Sequence, residues 1–365
     1  MDTESHYLNF SANELLLNGQ LLTKVNMHQA IDTEQFDTIE LSIVSFLKQW
    51  WDDRSFISIT TSGSTGVPKT IQAEKRSMWK SAQKTIEWFG LKQGMTALLC
   101  LSPGYIAGRM MIVRAMQAKL NLITTNLSSN PLADLEDPIH FVAMVPLQLV
   151  KVLEESPEKL NLVHTILLGG SGLSTALEQQ LHHISTKVFH SYGMTETLSH
   201  IALRPVNGTQ ASAWFQPMEE VQISKNKNDC LVANVAYLSS DEFVTNDLIE
   251  LSDHGTFKVL GRADDAIVSA GHKIHPVMLE QKIEPLLKAP FLISSKADPA
   301  AGEELILLME KRLTINELFK LWDQLFSLLQ PFEIPRHILF VAQIPMLESG
   351  KINRIAAKQI AAVLQ

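Results

Sequence analysis

The chain has 365 residues, 45% of them hydrophobic, which is enough for one large or two ordinary domains with a sizeable core. Its formal net charge of −8 argues against a general nucleic-acid-binding protein. The N-terminal residues do not show the basic and then apolar pattern of a signal peptide, and the sequence has no run of about 18 apolar residues. Its two cysteines, Cys100 and Cys230, lie in apolar runs and lack the spacing of metal ligands. We therefore expect a cytoplasmic protein without a membrane span.

The first strong signal along the chain is a strand followed by a loop rich in hydroxyls and glycine. The alternating segment Phe56-Ile-Ser-Ile59 predicts a strand, and Thr61-Ser-Gly-Ser-Thr-Gly-Val-Pro-Lys69 follows it. Glycines let the backbone approach an anion, hydroxyls add donors, and Lys69 adds positive charge. The spacing differs from that of a Walker A loop, but this chemistry predicts a triphosphate cradle. The alternative is a flexible Ser/Gly linker.

Helical and strand patterns then alternate as far as His190. Helices are expected to begin at residues 75, 107, 146 and 174, and Gly90 is placed to end the first of them. Short apolar strands are expected at 96–101, 121–125, 139–145, 163–168 and 187–190. This alternation predicts an α/β fold with a largely parallel sheet, whose ligands gather beyond the carboxyl ends of the strands. Thr61 and Tyr192 would both follow strands.

The pattern changes after Asn207. Two hairpins with polar turns are expected, within 221–237 and 247–260, followed by a smaller α+β unit with helices at 276–288 and 315–329. A boundary near Arg262–Asp264 would divide the chain into an N-terminal domain, 1–262, and a C-terminal domain, 263–365.

Three further polar segments follow the loop in a fixed order. They are Tyr192-Gly-Met-Thr-Glu-Thr197, then Gly261-Arg-Ala-Asp-Asp-Ala-Ile267 with Gly271-His-Lys-Ile274, and Ile344-Pro-Met-Leu-Glu-Ser-Gly-Lys351. Together with the loop they resemble the adenylate-forming superfamily of acyl-CoA synthetases, adenylation domains and luciferases, from about Ile57 to Arg354. The resemblance implies a large, mostly parallel α/β domain that binds ATP and an acid, and a small mobile α+β domain. Much of the family's early subdomain would be absent, because only 60 residues precede the loop.

The resemblance also implies where the nucleotide binds. The residues expected to contact ATP or AMP are Thr61, Ser62, Gly63, Ser64, Thr65, Gly66, Lys69, Gly169, Gly170, Ser171, Tyr192, Gly193, Asp247 and Arg262. Tyr192 would stack on adenine and Asp247 would accept hydrogen bonds from the ribose; a core tyrosine is the alternative for Tyr192. The family usually has glycine where this chain has Asn246, and asparagine can adopt φ > 0 nearly as glycine does.

The remaining implied roles concern catalysis and domain movement. Lys351, Thr195 and Glu196 would be catalytic, with Glu196 also a Mg²⁺ ligand. Asp264 occupies the family's hinge position, and Gly271 would border the tunnel for coenzyme A. A solvated lysine and a plain turn are the alternatives for Lys351 and Gly271.

The acid pocket is less clearly marked. Tyr105 stands where many acid–CoA ligases have a histidine, and Met194 lies in the Tyr192 segment. The segment around Tyr192 and the compact chain are most like ligases whose acid carries a second carboxylate, which needs a donor or a cation if it is buried. Arg109 and His200 are the candidates; a surface arginine and a core histidine are the alternatives.

The resemblance implies an AMP-forming acid–thiol ligase that uses ATP, Mg²⁺ and coenzyme A on a small carboxylic acid. A stand-alone adenylation enzyme that loads a carrier protein and a non-catalytic nucleotide-binding relative are the other possibilities. No nucleic-acid partner is expected, and a homo-oligomer is possible.

Overall fold

We describe the protein from a computed structural model that covers residues 13–27, 37–60, 70–238, 241–287, 289–347 and 352–363. The chain divides into two compact units. The first comprises Met1–Gln222 with Ala233–Phe243, and the second Ile223–Val232 with Val244–Gln365. No helix among the described residues is long and apolar enough to cross a membrane.

The first unit is built on a nine-stranded sheet. In chain order its strands are β1 (Glu14–Leu17), β2 (Gln20–Thr23), β5 (Thr96–Leu99), β6 (Asn121–Thr124), β7 (Ile139–Met144), β8 (Val163–Leu168), β9 (Lys187–Gly193), β10 (His200–Pro205) and β11 (Gln216–Pro217). Their spatial order is β11-β10-β9-β8-β7-β5-β6-β1-β2. The six strands from β9 to β1 run parallel, and the three outer strands pair antiparallel. The prediction of a largely parallel α/β sheet is therefore confirmed.

Among the described residues, five α-helices accompany this sheet, namely α1 (Thr38–Trp50), α2 (Lys75–Phe89), α3 (Ile106–Ala118), α4 (Pro146–Glu155) and α5 (Thr175–Leu181). Their ends follow local chemistry: Gly90 terminates α2 in a left-handed conformation at φ 61°, and the Ser174 hydroxyl caps α5. Alternate strand residues face opposite sides, so Val142 joins one core cluster, whereas the Phe141 ring lies 5.2 Å from that of Phe89 on α2.

A separate hairpin carries the predicted phosphate loop. It consists of β3 (Phe56–Thr60) and β4 (Thr70–Glu74), paired antiparallel, with Thr60 opposite Thr70. The strand expected at 56–59 is therefore confirmed, while β4 was not predicted. Ile57, Ile59 and Ala73 are buried, and that single apolar face accounts for the alternation in the sequence.

The second unit contains two smaller sheets. Its further strands are β12 (Val221–Lys225), β13 (Cys230–Val235), β14 (Phe243–Leu251), β15 (Phe257–Arg262), β16 (Ile267–Ser269), β17 (His272–Ile274), β18 (Phe291–Asp298), β19 (Gly302–Met309) and β20 (His337–Phe340). Its helices are α6 (Pro276–Ile283), α7 (Ile315–Leu328) and α8 (Arg354–Val363). Strands β12 to β15 form one sheet in that order, and β16 to β20 form the other. The predicted smaller α+β unit is confirmed. The domain boundary between residues 262 and 263, which was placed at the expected hinge, stays a prediction.

Candidate functional site

Two of the predicted segments lie outside the described residues. Residues 61–69, the predicted phosphate loop, connect Thr60 to Thr70, and these two residues are register partners at the end of the β3–β4 hairpin. Lys351 precedes Ile352, which pairs with Met346 across an isolated bridge. The roles assigned to Thr61–Lys69 and Lys351 stay predictions.

The turn after β8 holds the predicted adenine-pocket residues. The N–H of Gly169 donates to the carbonyl of Met144 at 3.1 Å, and the Ser191 hydroxyl donates to the carbonyl of Leu168 at 2.8 Å. A Cβ on Gly169 would stand 2.9 Å from the Ser191 hydroxyl, and Gly170 has φ 98°. The conformation at 170 therefore favours glycine, whereas a side chain at 169 would require the Ser191 hydroxyl to move.

The Tyr192 segment forms a tight turn between β9 and β10. Tyr192 belongs to β9 itself, so the prediction that it follows the strand is wrong: pairing with β10, which periodicity did not reveal, extends β9 to Gly193. A Cβ on Gly193 would lie 2.4 Å from the carbonyl oxygen of Ser199, so only glycine fits there. The buried Thr197 hydroxyl accepts from the N–H of Met194 at 3.0 Å and donates to the carbonyl of Ser199 at 2.8 Å.

This turn presents two of the predicted catalytic side chains. Glu196 is exposed and Thr195 half-buried, while Thr197 beside them is fully buried. The described residues contain no group of three or more His, Cys, Asp or Glu side chains that could hold a metal ion. Glu196 could therefore contribute one ligand to a cation whose other ligands come from a bound molecule or water.

The structure draws attention to an arginine that the sequence analysis missed. Arg114, on α3, is 3% exposed; its Nη2 donates to the Ser199 hydroxyl at 2.6 Å, whereas its Nε has no partner within the described ranges. No carboxylate among the described residues lies within ion-pair distance of it. Burial lowers the pKa of this guanidinium to about 9, so it is still charged at neutral pH. The signal was present in the run Met-Met-Ile-Val-Arg-Ala-Met, where Arg114 interrupts an otherwise apolar stretch.

His200 continues the same buried network. Its Nδ1 lies 3.3 Å from the Ser199 hydroxyl and its Nε2 3.2 Å from the Thr85 hydroxyl. Burial, with a contribution from the charge of Arg114, lowers the pKa of His200 well below its usual value. The imidazole is therefore neutral and has hydroxyl partners on both sides, which favours the core-histidine alternative. Its role as a substrate contact stays a prediction.

Arg109, the first candidate for a substrate cation, has different neighbours. Its Nε donates to the Pro103 carbonyl at 2.9 Å and its Nη1 to the Ser58 carbonyl at 2.8 Å, and its guanidinium lies over the Phe46 ring at 5.7 Å. These donors tie α3 to β3. Tyr105 caps α3 at its amino end and is 53% exposed. The substrate roles of Tyr105, Arg109 and Met194 stay predictions.

In the second unit, three predicted residues come together. Asp247 and Arg262 are register partners on β14 and β15, and their side chains lie 3.3 Å apart. Arg262 also donates to both carboxylate oxygens of Asp264, at 2.9 and 2.8 Å. These hydrogen bonds from Arg262 lower the pKa of Asp264. The predicted hinge residue is thus held by the predicted ribose or phosphate contact.

Asn246 corrects one sequence argument. It lies within β14 and does not adopt φ > 0, so it does not reproduce a glycine conformation. Its amide instead donates to Asp264 at 3.4 Å. Ala270 and Gly271, at φ 49° and 80°, form the two-residue turn between β16 and β17, as in tight hairpins. The tunnel role of Gly271 stays a prediction.

Comparison with known proteins gives the class. The family model described as "AMP-binding enzyme" matches residues 22–225, and the chain belongs to this family of AMP-binding enzymes. Among individual relatives, a 2-succinylbenzoate–CoA ligase from Listeria innocua is 25% identical over 86% of this chain and 71% of its own. A solved acyl-CoA synthetase (AMP-forming)/AMP-acid ligase II-like protein from Dyadobacter fermentans is 32% identical, with 91% of this chain and 97% of that chain covered and a TM-score of 0.61.

A third relative shows the same fold with ligands. The o-succinylbenzoate CoA synthetase of Bacillus subtilis, in complex with ATP and magnesium ion, has a TM-score of 0.66 at 22% identity, with 82% of this chain and 68% of that chain covered. The same enzyme has also been solved with the acyl-adenylate intermediate OSB-AMP, at 22% identity and a TM-score of 0.69. At this identity the likeness establishes the adenylate-forming fold, as the sequence motifs predicted.

Proposed function

We propose that this protein is an ATP-dependent acid–CoA ligase that converts o-succinylbenzoate to o-succinylbenzoyl-CoA for menaquinone biosynthesis. The ligase class follows from the family and from the order of its motifs. The named relative that aligns over 86% of the chain supports the acid. Within the molecule, the observation that carries the acid is Arg114, a buried cation with no carboxylate partner among the described residues.

The reaction has two half-reactions. The succinyl carboxylate of the acid attacks the α-phosphorus of ATP, the bond to the bridging oxygen breaks, and pyrophosphate leaves. The thiolate of coenzyme A then attacks the acyl carbon, and AMP leaves with the electron pair of the broken carbon–oxygen bond. Both steps depend on positioning and on stabilising developing charge rather than on an enzyme nucleophile.

Individual side chains have separate tasks in this scheme. Thr195 and Lys351 would donate to phosphate oxygens, and Asp247 would accept from the ribose. The exposed Glu196 fits a Mg²⁺ ion that enters with ATP and takes its remaining ligands from phosphates and water, since no group of three or more acidic, His or Cys side chains stands ready for a metal in the described residues. When bound, Mg²⁺ neutralises phosphate charge.

Arg114 would hold the aromatic carboxylate of the acid. A charged group removed from water is costly unless an opposite charge and hydrogen bonds compensate for it. Arg114 donates to the Ser199 hydroxyl, at the end of the Thr195–Glu196 turn, and its Nε–H has no acceptor among the residues that the structure describes. An anion accepting from Nε–H would complete the pairing. Arg114 would then bind the acid at its aromatic carboxylate, which does not react.

The experiment is a pyrophosphate-release assay with ATP, Mg²⁺ and a panel of acids, repeated with coenzyme A. We expect release with o-succinylbenzoate and thioester formation after coenzyme A is added. The matched acid lacking the aromatic carboxylate should be used at least tenfold less well, since it leaves buried polar groups unpaired. Equal use of the two acids would reduce the proposal to a general acid–CoA ligase. Adenylation without any transfer to coenzyme A would favour a carrier-loading enzyme.

The setting of the reaction is part of the proposal. Cys100 and Cys230 are both free and buried, which fits a reducing compartment, and we place the enzyme in the cytoplasm. A homo-oligomer is a further expectation, which light scattering would test.

A further inference from the structure

A cluster of rings lies behind the predicted adenine pocket. His190 and Tyr192 are two positions apart on β9 and therefore face the same side of the strand. Both contact Phe215, whose ring centroid is 5.2 Å from that of His190 and 6.0 Å from that of Tyr192. His190 and Phe215 are 7% and 5% exposed. One buried ring thus supports both the predicted adenine-stacking residue and a histidine that no catalytic step uses.

The hydrogen bond of His190 determines its tautomer. Its Nε2 lies 3.0 Å from the carbonyl oxygen of Ser171, and because a carbonyl can only accept, Nε2 carries the proton. Nδ1 is then an acceptor, and it has no partner in the part of the chain that the structure describes. Burial, with a contribution from the charge of Arg204, lowers the pKa of His190 to about 3. The imidazole is therefore neutral throughout the working pH range of an enzyme.

Arg204 closes the cluster on its far side. Its guanidinium lies 5.4 Å from the Phe215 ring centroid, its Nη1 donates to the Ser212 carbonyl at 3.0 Å, and its Nη2 pairs with Glu178 on α5. The turn 169–174 lies between β8 and α5. The first residue of the turn is bonded to Met144, the strand end that precedes it is bonded to Ser191, and the helix that follows it is bonded to Arg204.

We propose that His190 is a positioning residue of the nucleotide site, holding the Ser171 carbonyl on one side and, through Phe215, the Tyr192 ring on the other. Gly170, at φ 98°, adopts a backbone conformation that side chains rarely allow, and the bond from His190 holds the residue that follows it. Among the described residues Nδ1 has no partner, and this cost to folding offsets part of what the bond to Ser171 contributes, which favours a role for His190 beyond stability. The inference rests on the proposed function, because it assumes that this turn and Tyr192 bind adenine.

The test is direct binding of ATP with Mg²⁺ by titration calorimetry, together with KM values in the pyrophosphate assay. His190→Phe keeps a ring against Phe215 but removes the donor to Ser171. We expect Kd and KM for ATP to rise about tenfold, with KM for the acid and for coenzyme A within about twofold of their original values. His190→Gln, which keeps an N–H donor at similar reach, should restore ATP affinity to within about threefold.

Thr186→Val is the matched control. Thr186 precedes β9, and its buried hydroxyl donates to the Leu160 carbonyl at 2.6 Å, away from the turn at 169–174. It should lower Tm as a lost buried hydrogen bond does, while leaving the Kd for ATP unchanged. If His190→Phe lowers Tm similarly and leaves the Kd for ATP unchanged, His190 is only structural and the inference is overturned.

Two further results remain decisive. Should His190→Phe fail to fold, Phe215→Leu removes the ring shared by His190 and Tyr192, and an unchanged Kd for ATP in that variant would equally overturn the inference. If the unaltered protein binds no ATP, the proposed function fails and this inference fails with it. Normal ATP binding by the unaltered protein and by every variant rejects the positioning role alone.

Discussion

Each compact unit contains an arginine that is largely withdrawn from solvent, Arg114 buried and Arg354 half-buried, and the two have opposite surroundings. Arg354, at the start of α8, pairs with Glu280 at 2.8 Å and with Asp265 at 3.5 Å. Burial alone would lower the pKa of this guanidinium, but the hydrogen bonds and charge of Glu280 and the charge of Asp265 raise it overall. Arg114 is more deeply buried, has a single hydroxyl partner among the described residues, and has a pKa lowered to about 9. A fully compensated cation indicates a structural role, whereas an uncompensated one indicates a site for an anion.

The largest loss of stability is expected on replacing Arg354, whose charge is fully paired with carboxylates. Arg354→Met would leave the carboxylates of Glu280 and Asp265 without their cation, and we expect the free energy of unfolding to fall by about 3–5 kcal/mol. Urea denaturation measures it. The matched control is Lys358→Met, because Lys358 forms an exposed ion pair with Glu303 and should cost less than about 1 kcal/mol. Equal losses in the two variants would remove the structural role of Arg354.

For Lys351, close to Arg354 in sequence, we expect replacement to affect the reaction rate and not the stability. Lys351→Ala should lower the rate of adenylate formation by about 10²–10³, because a donor to the departing phosphate is lost, and we expect the unfolding free energy to stay unchanged. The conversion of preformed acyl-adenylate to thioester should survive. The two half-reactions are measured separately, and an equal loss in both would show that Lys351 does not belong to one step.

Arg114 provides the next test of the comparison. Arg114→Met should leave the unfolding free energy unchanged or raise it, because the uncompensated charge is gone. The same variant should raise KM for o-succinylbenzoate by about 10- to 100-fold, because a charged hydrogen bond to the acid is lost. KM for ATP should stay nearly constant. Arg109→Leu is the companion variant, because the sequence made Arg109 a candidate for binding the aromatic carboxylate. If Arg109→Leu raises KM for o-succinylbenzoate more than Arg114→Met does, the assignment to Arg114 is wrong.

The smallest effect is a dependence on pH. The pKa of Arg114 is about 9 in the folded protein and returns to its ordinary, higher value when the chain is unfolded. Between these values the unfolded chain binds more protons, so this group makes the unfolding free energy of the ligand-free protein rise with pH above about 9. Acid binding should weaken over the same range as the cation is lost. Both slopes should be smaller in Arg114→Met; identical profiles would contradict a titrating Arg114.

Much of the fold could be predicted because its cues are local. Gly90 adopts the left-handed conformation that ends α2, Pro146 begins α4, and Ser174 caps α5, each through a preference that neighbouring residues suffice to express. Apolar runs located β7 and β8 to within a residue. By contrast, β10, which extends β9 to include Tyr192, escaped prediction because its pairing is set by residues distant in sequence.

For the candidate site, the sequence by itself determined the chemical inventory: the hydroxyl and glycine loop, the Thr195–Glu196 pair, the acidic and basic residues around Arg262, and hence the adenylate-forming class. Only the tertiary structure decided what each charge faces. It placed Asp264 against Arg262 through the register of β14 and β15, gave Arg109 to backbone carbonyls, and left Arg114 buried without a carboxylate partner among the described residues. The reason is physical: a residue's type sets its charge and donors, but burial and long-range pairing set the energy of that charge.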